Sequence, residues 1–121
     1  MSDHTEVIDR YIAAWNETDG ERRRDLVART FTGDASYVDP HLEGYGASEI
    51  DALIDAVQGR FPGYRFRRAG RVDAHHDRVR FSWEVAPENG PVFAAGTDVA
   101  VVAADGRFRS VTGFIDRMAE A

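Results

Sequence analysis

An acidic residue inside a long apolar segment is the first candidate for chemistry in this sequence. Asp98 lies within residues 92–104, where most of the other side chains are small, aliphatic or aromatic. Burying an ionised carboxylate without partners is costly, so such a group raises its pKa and becomes neutral. A protonated acid in an apolar site donates a hydrogen bond and can stabilise a developing oxyanion. We therefore expect Asp98 to be neutral at pH 7 and to face a cavity.

Asp98 also has an interpretation that involves no chemistry. Its neighbours on the same strand face, Gly96 and Ala100, are small and leave room beside it, which favours a cavity over a packed ion pair. The carboxylate could instead face solvent on the other side of the sheet. It could also pair with an arginine of a neighbouring strand, the candidates being Arg78, Arg80 and Arg109.

Two further residues carry groups suited to proton transfer. Tyr11 lies on the apolar face of a predicted helix, one turn before Trp15, and could equally be a core tyrosine with a satisfied hydroxyl. Asp39 precedes Pro40, which favours extended backbone and the end of a strand. An aspartate at such a position can also bond its own backbone in a turn.

The composition of the 121 residues excludes several other chemistries. The chain has no cysteine and no lysine, so thiolate nucleophiles, disulfides and lysine Schiff bases are absent. Its net charge of -6 argues against nucleic-acid binding. The sequence contains no glycine-rich phosphate-binding motif that would imply a nucleotide cofactor, so we expect no cofactor. His75 and His76, as adjacent residues, should point apart, which argues against a metal site.

The same sequence predicts no attachment to a membrane. No segment approaches the roughly 18 continuous apolar residues of a membrane span. The polar, acidic N-terminus does not resemble a signal peptide, so we expect a cytoplasmic protein.

Helical patterns occupy the first half of the chain. The apolar face of helix 1 repeats from Val7 to Trp15, with Asp3 and Glu6 as a capping box and Asp19-Gly20 as the stop. A second helix is predicted over residues 21–30, followed by a turn at 32–34, a short strand at 35–38 and a loop at 41–45. A third helix is predicted over residues 49–58, capped by Ser48 and ended by Gly59.

The second half of the chain has the patterns of strands. An irregular strand is predicted over residues 64–72, and residues 78–85 alternate with a period of two. A long strand over 93–104 leads through the hairpin signal Asp105-Gly106 into a last strand over 107–116. Helices grouped before a strand meander predict a single α+β domain with three helices packed on one face of a curved, mostly antiparallel sheet. Incomplete coverage of that sheet should leave a pocket with an aromatic lining.

The sequence resembles the nuclear transport factor 2-like superfamily, in the branch of SnoaL-like polyketide cyclases and ketosteroid isomerases. The resemblance covers nearly the whole chain and rests on the order and spacing of short segments. These are residues 10–19 (RYIAAWNETD), 35–40 (ASYVDP), Gly46, 96–99 (GTDV), 105–108 (DGRF) and 111–116 (VTGFID). It implies a cone-shaped α+β barrel around an apolar pocket, a hydrophobic small-molecule ligand, and a homodimer through the outer face of the sheet.

The resemblance to ketosteroid isomerases also implies roles for the three candidate residues. In those enzymes a tyrosine in an Arg-Tyr-Ile segment donates to the substrate oxyanion, which matches Tyr11. Their base is an aspartate followed by proline, which matches Asp39, and their second donor is a protonated aspartate that matches Asp98, eight residues before Gly106. The predicted reaction is proton abstraction beside a carbonyl, giving isomerisation or cyclisation of a hydrophobic ketone. The predicted pocket is lined by Trp15, Phe31, Tyr37, His41, Ile54, Phe61, Phe66, Trp83 and Phe114.

Departures from the isomerase pattern keep other functions open. Phe31 and Ile54 replace the tyrosines that support the helix 1 tyrosine, Ile115 replaces an aromatic residue of the steroid pocket, and His41 has no counterpart. An epoxide hydrolase would need Arg78 or Arg80 beside Asp98, and a dehydratase would need His41 or His75 with an aspartate. A module that only binds hydrophobic ligands is the third alternative.

Overall fold

A computed structural model describes residues 4–119, which form three helices and six strands. In chain order they are α1 (Thr5–Asn16), α2 (Gly20–Thr30), β1 (Phe31–Val38), β2 (Glu43–Tyr45), α3 (Ala47–Arg60), β3 (Tyr64–His75), β4 (Arg78–Pro87), β5 (Ala94–Val102) and β6 (Phe108–Met118). The strands form one curved, open sheet in the order β2-β1-β6-β5-β4-β3. Only the β1–β6 pair is parallel, so the predicted α+β fold with a mostly antiparallel sheet is confirmed.

Three predicted helix ends are wrong. Asp19 does not stop α1 but caps α2, because its side chain accepts a hydrogen bond from the backbone N–H of Arg22 at 3.0 Å. Gly46, at a φ of 87°, begins α3 without the predicted Ser48 cap. Gly59 lies inside α3, which extends to Arg60. The predicted cap at Asp3 lies outside the described residues.

The region before α3 contains more strand than predicted. Residues 32–34, predicted as a turn, belong to β1, which has an irregular register against β6 between Phe31 and Ser36. The predicted loop at 41–45 contains β2, whose Tyr45 lies opposite Ser36. Residues 32–34 were predicted wrongly because their polar composition is that of a turn, although they form an irregular part of a strand. β2 was missed because three residues are too few to show a period of two.

The core lies between the helices and the inner face of the sheet. Side chains of α1 and α3, among them Ile8, Tyr11 and Ile50, form one buried cluster with Phe81 of β4 and Phe108 of β6. Burial alternates strictly along β5, with the even-numbered residues from Ala94 to Val102 facing inward. This alternation places Asp98 on the inner face of the sheet, where it is 2% exposed. No helix within residues 4–119 is long and apolar enough to span a membrane.

A buried arginine holds the three helices together. Arg23 of α2 is 4% exposed and donates to Asp51 at 2.9 Å, to Asp55 at 3.1 Å and to Gln58 at 2.9 Å, all on α3. The Gln58 amide in turn donates to the carbonyls of Trp15 and Glu17 at the end of α1. One guanidinium therefore fixes α3 against both other helices and so positions the helix wall of the cavity described below.

Replacing Arg23 with alanine is expected to lower the free energy of unfolding by about 3 kcal/mol, because the 14%-exposed Asp51 then keeps a charge without a partner. The matched control is Arg29→Ala, which breaks an exposed pair with Asp25 and should cost about 0.5 kcal/mol or less. Urea unfolding of both variants measures the difference. Equal losses in the two variants would show that the cluster does not stabilise the helix packing.

Candidate functional site

A cavity of about 640 Å³ opens between α1, α3 and the inner face of the sheet. All three residues predicted for chemistry, Tyr11, Asp39 and Asp98, line this one cavity. Six of the predicted pocket residues line it as well, namely Trp15, Tyr37, His41, Phe61, Phe66 and Trp83. Ile115, which replaces an aromatic residue of the isomerase pattern, is also part of the wall.

Three residues predicted for the pocket lie elsewhere. Phe31 and Ile54 are at most 1% exposed and belong to the core behind the cavity, where the ring of Phe31 packs edge-on against Tyr11. Phe114 is 54% exposed. Its neighbour Gly113 occupies the inner face of β6, so alternation along the strand directs Phe114 to the outer face.

Asp98 is held by two donors from distant parts of the chain. The Tyr11 hydroxyl donates to its Oδ2 at 2.7 Å, and the Trp83 indole N–H donates to its Oδ1 at 2.9 Å. Burial raises the pKa of Asp98 from 3.8 to about 6, although these two hydrogen bonds oppose the rise; the charge of Asp39 adds to it. At this pKa about a tenth of Asp98 is protonated at pH 7, so the predicted neutral form predominates only below about pH 6.

The sequence predicts that Gly96 leaves an open cavity beside Asp98, but in the structure the Trp83 side chain fills that space. A Cβ atom at Gly96 would lie 2.3 Å from Cζ2 of Trp83 and 2.2 Å from the carbonyl oxygen of Phe114. The missing side chain therefore leaves space for the Trp83 indole and not for a ligand. Gly96 allows the indole to cross β5 and place its N–H on Asp98.

Asp39 is oriented by three donors at the end of β1. Its Oδ1 accepts the backbone N–H groups of His41 and Leu42, both at 2.8 Å, and its Oδ2 accepts the Tyr37 hydroxyl at 2.6 Å. The alternative interpretation, a turn-forming aspartate, thus describes part of its role. A carboxylate has about four acceptor directions, so one direction on Oδ2 stays available. The carboxylate is half-buried and lines the cavity.

The two acids face each other across a glycine. A Cβ at Gly113 would lie 2.9 Å from Oδ1 of Asp98, 3.2 Å from Cβ of Asp39 and 3.6 Å from the Tyr37 hydroxyl. Because both acids approach the same point so closely, Oδ1 of Asp98 and Cβ of Asp39 are at most about 6 Å apart. A side chain at position 113 would therefore force the Asp98 carboxylate to shift from this arrangement.

Two tyrosines supply hydroxyl groups to the acids. Burial, followed by the charge of Asp98, raises the pKa of both Tyr11 and Tyr37 well above the usual value, so both phenols stay protonated. The sequence predicted no supporting tyrosine, since Phe31 and Ile54 occupy those positions. Tyr37 nevertheless brings a second hydroxyl to the site, from a strand and not from those positions.

The known proteins that this chain is similar to are found among solved structures. No family model and no curated protein matches the chain. Among solved structures, a SnoaL-like family protein from Agrobacterium tumefaciens str. C58, provisionally assigned as an isomerase, is 44% identical with a TM-score of 0.91. The match covers 97% of this chain and 100% of that one. The chain belongs to the SnoaL-like family.

More distant structures share the fold of this SnoaL-like chain. A nuclear transport factor 2-like protein of unknown function from Exiguobacterium sp. 255-15 is 24% identical, with a TM-score of 0.73, over 93% of this chain and 99% of that one. A protein from Jannaschia sp. CCS1, provisionally assigned as a SnoaL-like polyketide cyclase, is 17% identical, with a TM-score of 0.72, over 94% and 85% of the two chains. At these identities the likeness extends to the fold alone.

The arginines of β4 do not reach the acids of this SnoaL-like site. Arg78 and Arg80 are exposed and pair with Asp77 and Asp73, so neither pairs with Asp98. Arg109, the third candidate, is exposed on β6, and Asp98 itself is 2% exposed. The solvent-facing and ion-paired interpretations of Asp98 are therefore wrong. An Asp–Arg–Asp constellation of the epoxide hydrolase type is not formed by these side chains.

The histidines are arranged differently from the prediction. His76 adopts a φ of 53°, which brings its Nδ1 within 3.2 Å of Nδ1 of His75, so the adjacent rings do not point apart. His75 is exposed and does not line the cavity, whereas His41 does. Within residues 4–119 no group of three or more His, Asp or Glu side chains could hold a metal ion.

Replacing Asp98 with asparagine is expected to stabilise the protein above pH 7. The folded-state pKa is higher than the unfolded one, so the native state loses stability as the pH rises from about 4 through 6. Asparagine cannot ionise, yet its amide can accept from Trp83 and donate to the Tyr11 oxygen. We expect a gain of about 2–3 kcal/mol at pH 8 and none at pH 4.

Urea unfolding at several pH values measures this gain. Asp116→Asn is the matched control, because it removes a solvent-exposed carboxylate from the neighbouring strand β6. A wild-type protein whose stability is flat between pH 4 and 8 would show that Asp98 titrates as it does in the unfolded chain.

Proposed function

We propose that this SnoaL-like protein is a cofactor-independent enzyme that transfers protons at the carbon beside a carbonyl group of a hydrophobic ketone. Isomerisation or cyclisation would follow, depending on the substrate. The observation that carries the proposal is that Tyr11, Asp39 and Asp98 line one cavity, with Oδ1 of Asp98 at most about 6 Å from Cβ of Asp39. Enolate chemistry needs a base on one side of the substrate and a proton donor near its oxygen.

Asp39 is the proposed base. Three hydrogen bonds fix its carboxylate, and the remaining acceptor direction on Oδ2 is the one that can take a proton from carbon. Oriented in this way, the carboxylate does not need to reorganise when the substrate arrives. The Tyr37 hydroxyl stays bonded to Oδ2 and orients it throughout.

Tyr11 and Asp98 together form the proposed donor. While Asp98 is ionised, the Tyr11 hydroxyl is committed to Oδ2. Once Asp98 is protonated, its own O–H can donate to the tyrosine oxygen and release the Tyr11 proton toward a substrate oxygen. An apolar ligand that displaces water from the cavity makes the surroundings of Asp98 less polar, which raises its pKa and favours this donating state.

The relatives support the same class of reaction. The Agrobacterium tumefaciens protein is provisionally assigned as an isomerase, and it is 44% identical to this chain. For this chain, isomerase activity is a proposal. A small-molecule substrate is also a proposal, and it is supported by the cavity volume of about 640 Å³, which is in the range of small-molecule sites. A dehydratase would require a histidine that acts with an acid, and His41 contributes only its backbone N–H to Asp39.

Proton exchange with a simple ketone tests the proposal. 2-Tetralone is a neutral bicyclic ketone with acidic hydrogens beside its carbonyl, and its α-deuteration in D₂O can be followed by NMR. We expect saturable exchange well above the buffer rate. Saturable binding of 2-tetralone without exchange would overturn the enzyme proposal and leave a module that binds hydrophobic ligands.

One further expectation from the family resemblance, the homodimer, also stays a proposal. A homodimer through the outer sheet face would cover Phe114, which is 54% exposed there. Such an interface would leave the cavity untouched, because the cavity opens on the opposite face of the sheet.

A further inference from the structure

The charges on the cavity wall are distributed unevenly. Asp98, at the buried end, is 2% exposed, and Asp39 is half-buried beside it. Among the residues that the structure describes, Arg60, at the end of α3, is the only arginine that lines the cavity, and it is exposed. The cavity therefore has acids inside and a permanent cation at its rim.

Arg60 has no ion-pair partner among residues 4–119. Within the described part of the chain no carboxylate lies within 4 Å of its guanidinium, whereas arginines such as Arg67 and Arg80 pair with Glu84 and Asp73. Its Cζ lies 5.9 Å from the centroid of the Phe61 ring, which lines the cavity. This contact holds the guanidinium beside the opening while its N–H groups stay available.

An aromatic cluster forms the wall next to Arg60. The rings of Phe61, Tyr64 and Phe93 contact one another at centroid distances of 5.4–5.6 Å, and all three line the cavity. A flat hydrophobic body can therefore lie on aromatic surface immediately below the cation. The two acids line the same cavity.

We propose that the substrate is a hydrophobic ketone that also carries an anionic group, such as a carboxylate, and that Arg60 binds this group at the rim. The ketone part of this inference rests on the proposed function; the recognition of the anion does not. Asp39 and Asp98 repel an anion from the inner end, so the ligand enters with its neutral carbonyl end first. The anionic end stays partly hydrated beside Arg60, which orients the substrate without burying a charge.

Arg60 has an alternative role in stability. A cation in the last turn of a helix is favoured by the helix dipole, and its stem can cover Phe61. These effects do not depend on the charge of a ligand. A comparison of charged and neutral ligands of the same shape therefore separates the two roles.

Binding of 2-naphthylacetic acid and its amide, measured by calorimetry at pH 7.5, tests the inference. The two probes differ only in the ionised group. We expect wild-type protein to bind the acid about five- to tenfold more tightly than the amide, and Arg60→Gln to lose this preference while its affinity for the amide is unchanged. The matched control is Arg65→Gln, which alters an exposed arginine of β3 that does not line the cavity and should keep the preference.

Three results would overturn the inference. They are equal affinities of wild-type protein for acid and amide, equal losses for both probes in Arg60→Gln, and binding of neither probe. This binding test and the exchange test of the proposed function can fail separately. Calorimetry measures binding alone, and exchange of neutral 2-tetralone does not require an anionic group. A preference for the acid without proton exchange would keep the anion site and overturn only the enzyme proposal.

Discussion

Asp39→Asn is expected to lower kcat/KM for 2-tetralone exchange by about 10²–10⁴-fold, the usual contribution of a general base. Asparagine has the size of aspartate and can still accept the backbone N–H groups of His41 and Leu42 through its amide oxygen. It cannot take a proton from carbon. The loss should therefore appear in the rate of exchange and not in the affinity for the ketone.

The control for this variant lies on the same strand. Asp34→Asn changes an exposed acid of β1 whose hydrogen-bond partner is Thr32, so it alters net charge equally without touching the cavity. We expect it to exchange 2-tetralone at the wild-type rate. An Asp39→Asn protein that is folded and as active as the wild type would exclude Asp39 as the base.

Tyr11→Phe is expected to lower the same rate by about 10²–10³-fold, because it removes the hydroxyl between Asp98 and the substrate oxygen. The phenyl ring can keep the contacts of Tyr11 with the rings of Trp15, Phe31, Phe81 and Phe108, whose centroids lie 5.5–6.4 Å away. The variant should therefore fold, which circular dichroism and urea unfolding can check. Unchanged exchange in a folded Tyr11→Phe protein would contradict the donor assignment.

The pH dependence of kcat/KM distinguishes the role of Asp98 from that of Tyr11. If the donating state requires protonated Asp98, kcat/KM should fall as the pH rises through about 6, the pKa of that carboxyl in the free protein. In Asp98→Asn the amide can donate to the Tyr11 oxygen at every pH, so this fall should disappear. A profile with the same fall in both proteins would assign the titration to another group.

Much of the fold follows from local patterns. The period of α1 and the alternation of β4 can be recognised in the sequence because one face of each element is buried, and β5 can be recognised as a long apolar segment. The elements that were missed are those without such a pattern. β2 has only three residues, and the start of β1 has polar residues in an irregular register.

The candidate site was predictable only in part. Asp98 could be singled out because it interrupts an apolar strand, and Asp39 because proline follows it. Their partners could not be found in this way. Tyr11 lies 87 residues before Asp98, and Trp83 lies 15 residues before it, so neither hydrogen bond leaves a local signal.

The sequence by itself determined the class of fold and the residue types left for chemistry, since a chain without cysteine or lysine has no thiolate and no amine side chain and offers mainly carboxylates, tyrosine and histidine. It left open which face of the sheet Asp98 occupies. Only the tertiary structure decided how those groups meet. Gly96 leaves space for Trp83 beside Asp98, and Gly113 leaves space for Asp39 beside it. The alternation of β6 directs Phe114 away from the cavity. The charge of Asp98 was also decided there, because burial and two hydrogen bonds oppose each other and their balance depends on distances between residues far apart in the chain.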